Sequence, residues 1–252
     1  IGNVVNRGKN MLDKNIDEVK NKVISLLKKK YRNSEIKKEK LILLNKGKFA
    51  NATVFRYCDE KIDLTIKDFS GSPWLIKNIF GRFAVNVEGK TLKKLEGNMS
   101  VTKQVKFLSP YTLSFAYIKG KSLKQCDNIK KDFFITLERN VRDMHEKEIV
   151  HLDLRNLGNI IMGENGYPYI IDFQSCISTK HVPKKLKKIL KKVDISGVYK
   201  CWENRCSEPL DEKRRKFLDS FKEIRKLWVL KGYPLLRMIK KIKGKISLKK
   251  TF

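Results

Sequence analysis

Acidic residues are scarce in this chain of 252 residues: 27 Asp and Glu stand against 57 Lys and Arg, a formal charge of +30. That excess leaves no acidic cluster to attract a cationic substrate. It favours a polyanion, an anionic membrane surface or a phosphorylated ligand instead. Long apolar runs are also missing. No stretch of 18 apolar, charge-free residues exists, so no membrane-spanning helix is expected. The opening Ile1-Gly2-Asn3 has no charged segment followed by an apolar run, so no signal peptide is expected there. The five cysteines, Cys58, Cys126, Cys176, Cys201 and Cys206, are odd in number and scattered. No His pair lies near Cys201 and Cys206, which argues against zinc. Reduced thiols of an intracellular protein are the expectation. There is no internal repeat. What is present is 41% hydrophobic and 10% aromatic residues, enough for a core and too many for a disordered chain. The length suits one domain or two small lobes.

Residues 1–37 read as a basic amphipathic helical extension lying on the main body, with Ile16, Val19, Val23, Leu26 and Leu27 at helical spacing. Three strands follow at Leu41–Leu44, Thr53–Tyr57 and Leu64–Phe69, joined by short breaks, as in an antiparallel meander. A helix is predicted from Val85 to Leu95, then strands at Val101–Phe107 and Leu113–Ile118. Phe133, Phe134, Leu137, Val141 and Met144 trace the apolar face of a second helix, and further helices are expected over 181–193 and 211–230. The Lys184–Lys192 run reads either as a solvated helix face or as a surface for an acidic substrate. Of the charged residues, 24 Lys and Arg against 7 Asp and Glu fall in residues 180–252, and the tail from Leu235 to Phe252 alternates apolar and basic.

Chemistry concentrates in 149–178, IVHLDLRNLGNIIMGENGYPYIIDFQSCIS. Asp153 sits on a loop after a long helix. Ile160-Ile161-Met162 and Tyr167–Ile171 form a hairpin around Glu164-Asn165-Gly166. The hairpin brings Asn159, at the start of one strand, next to Asp172, at the end of the other. Those two can share a divalent cation with Asp153 close by, and Mg²⁺ prefers such oxygen ligands together with substrate phosphates.

In these residues the chain resembles the protein-kinase-like superfamily, with its His-x-Asp…Asn and Asp-Phe-Gly loops. His151-Leu-Asp153-Leu-Arg155, Gly158-Asn159 and Ile171-Asp172-Phe173-Gln174 resemble the bacterial lipopolysaccharide-core kinases and related RIO-like kinases. Thr65-Ile66-Lys67-Asp68-Phe69 resembles the strand that bears their phosphate-binding lysine, and Glu88 is placed like its ion-pair partner, with Glu96 as competitor. Gly47-Lys48-Phe49-Ala50-Asn51-Ala52-Thr53-Val54 has one glycine and is closer to the RIO-type loop than to the usual Gly-rich one. The usual motif has one residue fewer between Asp153 and its asparagine, so Asn156 competes with Asn159. Gln174 replaces the usual glycine, and no Ala-Pro-Glu element follows.

The resemblance implies an α+β, two-lobed kinase-like fold, with residues 38–118 as a small antiparallel-sheet lobe and 119–252 as a mainly helical lobe with a basic tail. It implies ATP and Mg²⁺, or Mn²⁺, as cofactors. Gly47, Lys48, Val54, Lys67 and Glu88 are then expected on the nucleotide, with the backbone of Ala116, Tyr117 and Ile118 against adenine. Asn159 and Asp172 are expected on the metal. Asp153 is expected as the base, His151 as the residue that orients its loop, and Arg155 either near the transferred phosphate or in a salt bridge. The implied partner is an anionic glycolipid, the lipopolysaccharide core, met as a peripheral protein on the cytoplasmic face of the inner membrane. A RIO-like protein kinase, a kinase of a soluble small molecule, a catalytically inactive scaffold and a nucleic-acid-binding protein are the competing expectations.

Overall fold

The computed structural model describes residues 2–32, 34–47 and 51–230. Lys48 and the tail from Leu235 lie outside the described residues. Helix α1 (Gly2–Lys30) leads into β1 (Leu41–Asn45), β2 (Thr53–Cys58) and β3 (Asp63–Asp68). A helical stretch follows: α2 (Trp74–Ile76), one π turn (Lys77–Gly81) and α3 (Arg82–Lys94). With β4 (Lys106–Ser109) and β5 (Thr112–Ala116) the strands form one antiparallel sheet of order β1-β2-β3-β5-β4. The second half holds β6 (Gly120–Ser122), α4 (Lys131–Glu146), β7 (Ile149–Val150), β8 (Ile160–Gly163), β9 (Pro168–Ile170), β10 (Ile177–Ser178), α5 (Lys184–Arg205) and α6 (Glu212–Leu230). β6, β8 and β9 make a small sheet, and β7 pairs with β10. The expected α+β division, a sheet-rich first half and a helical second half, is what the chain adopts.

Period-two alternation sets the two faces of the large sheet. Phe55, Tyr57, Leu64 and Ile66 point one way, into a core shared with Val19, Val23, Ile24 and Leu27 of α1. Leu113 and Phe115 point the other way, into the core that also holds Ala84, Val85 and Leu92 of α3. The sheet is thus a layer between two helices, and α1 covers its outer face. Each fully buried side chain of this kind stabilises by about 1.5–3 kcal/mol. Ile24 is buried with the predicted stripe, whereas Leu26 is only partly covered.

The strand expected at Val101–Phe107 starts later, at Lys106. Its backbone groups are committed elsewhere. Ile170 N–H donates to Ser100 O (2.7 Å), the Ser100 hydroxyl to Pro168 O (2.6 Å) and the Thr102 hydroxyl to Ala116 O (2.6 Å). Asn140 Nδ2 donates to Ser100 Oγ at 2.7 Å. The 98–102 segment therefore fastens the sheet lobe onto the helical lobe instead of joining a ladder. β6, β7 and β10, two or three residues each, are too short to leave a periodic signal.

In the helical lobe Phe134 stacks on Trp202 with centroids 5.6 Å apart. Glu138 of α4 accepts from Arg142 (2.6 Å), from Tyr199 of α5 (2.8 Å) and from Arg214 of α6 (2.8 Å), so one carboxylate ties three helices. Cys126, Cys176 and Cys201 are buried, while Cys58 and Cys206 are half-buried. Burial pushes the Cys201 thiol up to about 12, and burial with the nearby carboxylates raises Cys176 further from reactivity. In the folded protein an aromatic disulfide reagent is expected to modify Cys58 and Cys206 first, and the other three only after denaturation. Five equally fast thiols by mass spectrometry would contradict this packing.

Candidate active site

Alternation along β3 turns Lys67 to the face opposite Leu64 and Ile66, toward α3. Lys67 pairs in register with Val54 of β2 and Leu113 of β5. Its Nζ donates to both Glu88 oxygens, at 2.7 and 3.0 Å, and to Asp172 Oδ1 at 3.0 Å. Glu88 is buried on the inner side of α3 and also accepts from Phe173 N–H at 3.3 Å. Glu96 is exposed beyond the end of that helix and takes no part. Burial opposes the charge on Lys67, but the two carboxylates outweigh it and hold its pKa above the usual range. Burial also raises the Glu88 carboxyl. Burial works against Asp172 too, yet the Lys67 ammonium keeps its carboxyl below the ordinary value.

Asp153 is exposed on the loop after β7. Asn159 is buried beneath it and donates from Nδ2 to Asp153 Oδ2 (2.8 Å) and Asp153 O (3.1 Å). Asn156 instead caps the short turn 157–159, accepting from Gly158 N–H at 3.0 Å. Of the two competing asparagines, Asn159 is the one whose side chain bonds the Asp153 carboxylate, while Asn156 reaches only Asp153 O through its N–H. His151 accepts the Asp153 N–H at Nδ1 (3.3 Å), so Nε2 carries the proton and donates to Ile171 O (3.1 Å). That imidazole links the Asp153 loop to the residue before Asp172 and meets Phe173 edge to face. Arg155 is half-buried, with its backbone against α5.

Asp172 takes a left-handed conformation (φ 66°, ψ 63°), and Phe173–Ser175 continue as a right-handed 3₁₀ turn. The strain sits on Asp172 itself, so Gln174 needs no glycine-like freedom. The segment then pairs as β10 with β7 and passes into α5 within a few residues.

On the nucleotide side, a Cβ on Gly47 would lie 2.2 Å from Asn51 O and 2.6 Å from the Ala52 carbonyl carbon. Only glycine lets the loop close so tightly. Lys48 lies outside the described residues. At the end of β5, Ala116 N–H donates to Lys103 O (2.8 Å) and Tyr117 N–H to Asp63 O (2.9 Å). These two N–H groups of the stretch expected against adenine thus bond within the fold. Ile118 follows them with no such bond among the described residues.

The donor set suits a divalent cation in part. The Asp172 side chain is 43% exposed, ionised, and bound to Lys67 through only one oxygen. The Asn159 carboxamide oxygen lies 3.2 Å from Asn156 Nδ2, so Asn159 and Asp172 are neighbours through the bond from Ile171 N–H to Asn159 O (2.9 Å) rather than through their side chains. Among the described residues no three His, Cys, Asp or Glu converge as a metal cage. A site of one carboxylate, one carboxamide and substrate phosphates does not require one.

Sequence reasoning missed Asp194. It is fully buried in α5 and accepts from His151 N–H (2.8 Å), Leu152 N–H (2.7 Å) and His145 Nε2 (3.0 Å). Leu152 has φ 67°, a conformation that this carboxylate holds in place. One turn on, a Cβ on Gly197 would lie 3.0 Å from the Leu154 carbonyl carbon and 3.1 Å from Arg155 N. Another turn on, Cys201 Sγ lies 3.2 Å from Leu154 O. Residues 194, 197 and 201 share one helix face, and the 151–155 loop lies along it. The available signal was a lone acid inside the apolar run Leu190, Val193, Ile195 and Val198 of a lysine-rich helix.

A solved structure of the Rio2 kinase from Chaetomium thermophilum is similar to this chain, with a TM-score of 0.52 and 15% identity over 71% of this chain and 62% of that one. The chain thus spans less than two thirds of the length of that neighbour. At this identity the likeness carries the fold, and the fold is protein-kinase-like and RIO-like. No protein-family model and no curated protein matches the sequence.

Replacing Asp194 by alanine strands two backbone donors and His145 in the core. The expected loss is roughly 3–5 kcal/mol of stability in urea unfolding. Gly197→Ala is expected to cost less in unfolding while shifting the Asp153 loop, seen as changed amide signals at 151–155. Unchanged signals there would show that α5 does not set the loop.

Proposed function

We propose that this chain is an ATP- and Mg²⁺-dependent phosphotransferase whose acceptor is a sugar hydroxyl of the lipopolysaccharide inner core, a heptose or the octulosonic acid. One observation carries it: an ammonium held between a buried glutamate and Asp172, with the Asp153–Asn159 pair joined to the residue before Asp172 by the bond from Ile171 N–H to Asn159 O. Lys67 is aimed by Glu88 and presents its charge to the nucleotide phosphates. Asp172 and Asn159 would hold Mg²⁺, or Mn²⁺, which when bound neutralises phosphate charge. Asp153, exposed at the cleft, accepts the proton of the attacking hydroxyl, and Asn159 fixes the direction of its carboxylate. His151, protonated at Nε2, keeps the Asp153 and Asp172 loops in register and transfers no proton. Positioning and charge neutralisation supply most of the rate in such chemistry.

The acceptor rests on the lipopolysaccharide-kinase pattern of His151–Asn159 and Ile171–Gln174 and on charge. A net +30 suits an already anionic glycolipid at the cytoplasmic face of the inner membrane. Likeness to the Rio2 kinase favours a second reading, a serine/threonine protein kinase. Labelled ATP offered with purified core oligosaccharide, and separately with the protein alone, divides the two. Phosphate on the saccharide is the expected result, and phosphate only on protein selects the second reading. Asp153→Ala is expected to lower transfer on the order of 10²–10⁴-fold while nucleotide binding by calorimetry changes little. Full turnover in that variant would remove Asp153 from the mechanism.

A further inference from the structure

The helical stretch that carries Glu88 has an outer face with no partner among the described residues. Trp74 is 73% exposed, Phe83 54%, Ile79 50% and Leu75 41%. Leu75, Ile79 and Phe83 are four apart, and Trp74 lies beside the first turn of that stripe. The same outward side continues through Arg82, Asn86, Lys90, Lys93 and Lys94, all exposed. Between Pro73 and Lys94 the only acid is Glu88, and it points inward onto Lys67. The outer face is therefore aromatic and aliphatic at one end, cationic at the other, and free of negative charge.

The underside is firmly seated. Ile76 is buried, Tyr111 OH donates to Asn78 Oδ1 (2.7 Å), and a Cβ on Gly81 would lie 2.7 Å from Phe69 Cβ. The exposed side chains are thus presented by a fixed helix and are not remnants of a loose segment. Four large apolar side chains together exceed the scattered single exposures of ordinary surfaces. Tryptophan and phenylalanine beside lysine and arginine match the headgroup boundary of an anionic bilayer, where apolar rings enter and cations meet phosphates.

We infer that the outer face of 74–94 is the surface by which this protein docks on an anionic lipid bilayer, with Trp74, Leu75, Ile79 and Phe83 entering the headgroup boundary and Arg82, Lys90, Lys93 and Lys94 meeting lipid phosphates. The inference rests on the membrane location proposed above and names the surface responsible. Because Glu88 lies on the inner side of the same helix and Gly81 abuts Phe69, two residues from Lys67, docking bears directly on the Lys67–Glu88 pair.

The test uses the full chain without nucleotide, so it does not depend on phosphotransfer. Binding to phosphatidylglycerol/phosphatidylcholine vesicles is compared with pure phosphatidylcholine vesicles by sedimentation, and brominated lipid reports insertion of tryptophan. The protein is expected to bind the anionic vesicles, with quenching that disappears in Trp74→Phe. The triple variant Trp74→Ser, Ile79→Ser, Phe83→Ser, whose substituted side chains are exposed, is expected to bind at least tenfold more weakly with an unchanged circular dichroism spectrum. Arg82→Glu with Lys90→Glu is expected to remove the preference for anionic lipid. Equal binding by the triple variant without Trp74 quenching would mean that net charge alone holds the protein, and would overturn the surface. No binding to either vesicle would overturn surface and location together. Loss of a dimer in the triple variant, with vesicle binding unaltered, would assign the face to a second copy of the chain.

Discussion

One ammonium group ties the helix of the sheet lobe to the Asp172 loop of the helical lobe. Lys67 Nζ reaches Glu88 on the helix of the sheet lobe and Asp172 on the loop of the helical lobe, all within 3.0 Å. Such a buried arrangement adds little net stability, because desolvating three charges offsets most of their attraction. Apolar side chains of similar volume would pack the same space as well. What the charges provide is direction. Glu88 can accept both from Lys67 and from Phe173 N–H only when α3 is rotated inward and the 172–175 turn is seated beneath it. The position of the helix, the turn and the cleft between the lobes are thereby coupled.

A second constraint fixes the 151–155 loop. α5 presents Asp194, Gly197 and Cys201 on one face, and the 151–155 loop is bonded or packed against each in turn. The loop has little secondary structure of its own and one residue, Leu152, in a left-handed conformation. Its shape comes from the helix. His151 then carries that shape across to Asp172 through its bond to Ile171 O. Asp153 is thus positioned by α5 from below and by Asn159 from the side, while the residue stays exposed. The helix belongs to a lysine-rich segment, and its half-buried Lys187 and Lys191 pair with Glu148 and Glu146. Part of the basic run of 184–192 is therefore a solvated face tied to α4 and the turn after it.

Much of this was legible in order along the chain. The meander, the α3 and α4 helices and the hairpin around Asn165 each carry a local period or turn signal strong enough to read. Lys67, Asp153, Asn159 and Asp172 lie at element ends that such signals locate, so their convergence followed from topology. Less legible were features set by distant partners. Val101–Phe107 reads as a strand from the sequence, yet Ser100 and Thr102 bond to β9 and Ala116 and the strand starts only at Lys106. Asp194 looked like one more charge on a basic helix, because nothing local marks an acid as buried.

The sequence by itself determined the class of fold and where the candidate residues fall along its elements, since hydrophobic period, turn residues and the spacing within 149–178 are local properties. Tertiary structure alone decided which charges meet. It set Glu88 on the inner side of α3 while Glu96 falls exposed past the helix end, and it buried Asn159 rather than Asn156 beneath Asp153. It turned the only acid of 74–94 inward and left an apolar and cationic face outside. Each of those choices depends on elements far apart in the chain arriving at one place, and no local pattern of residues encodes that distance.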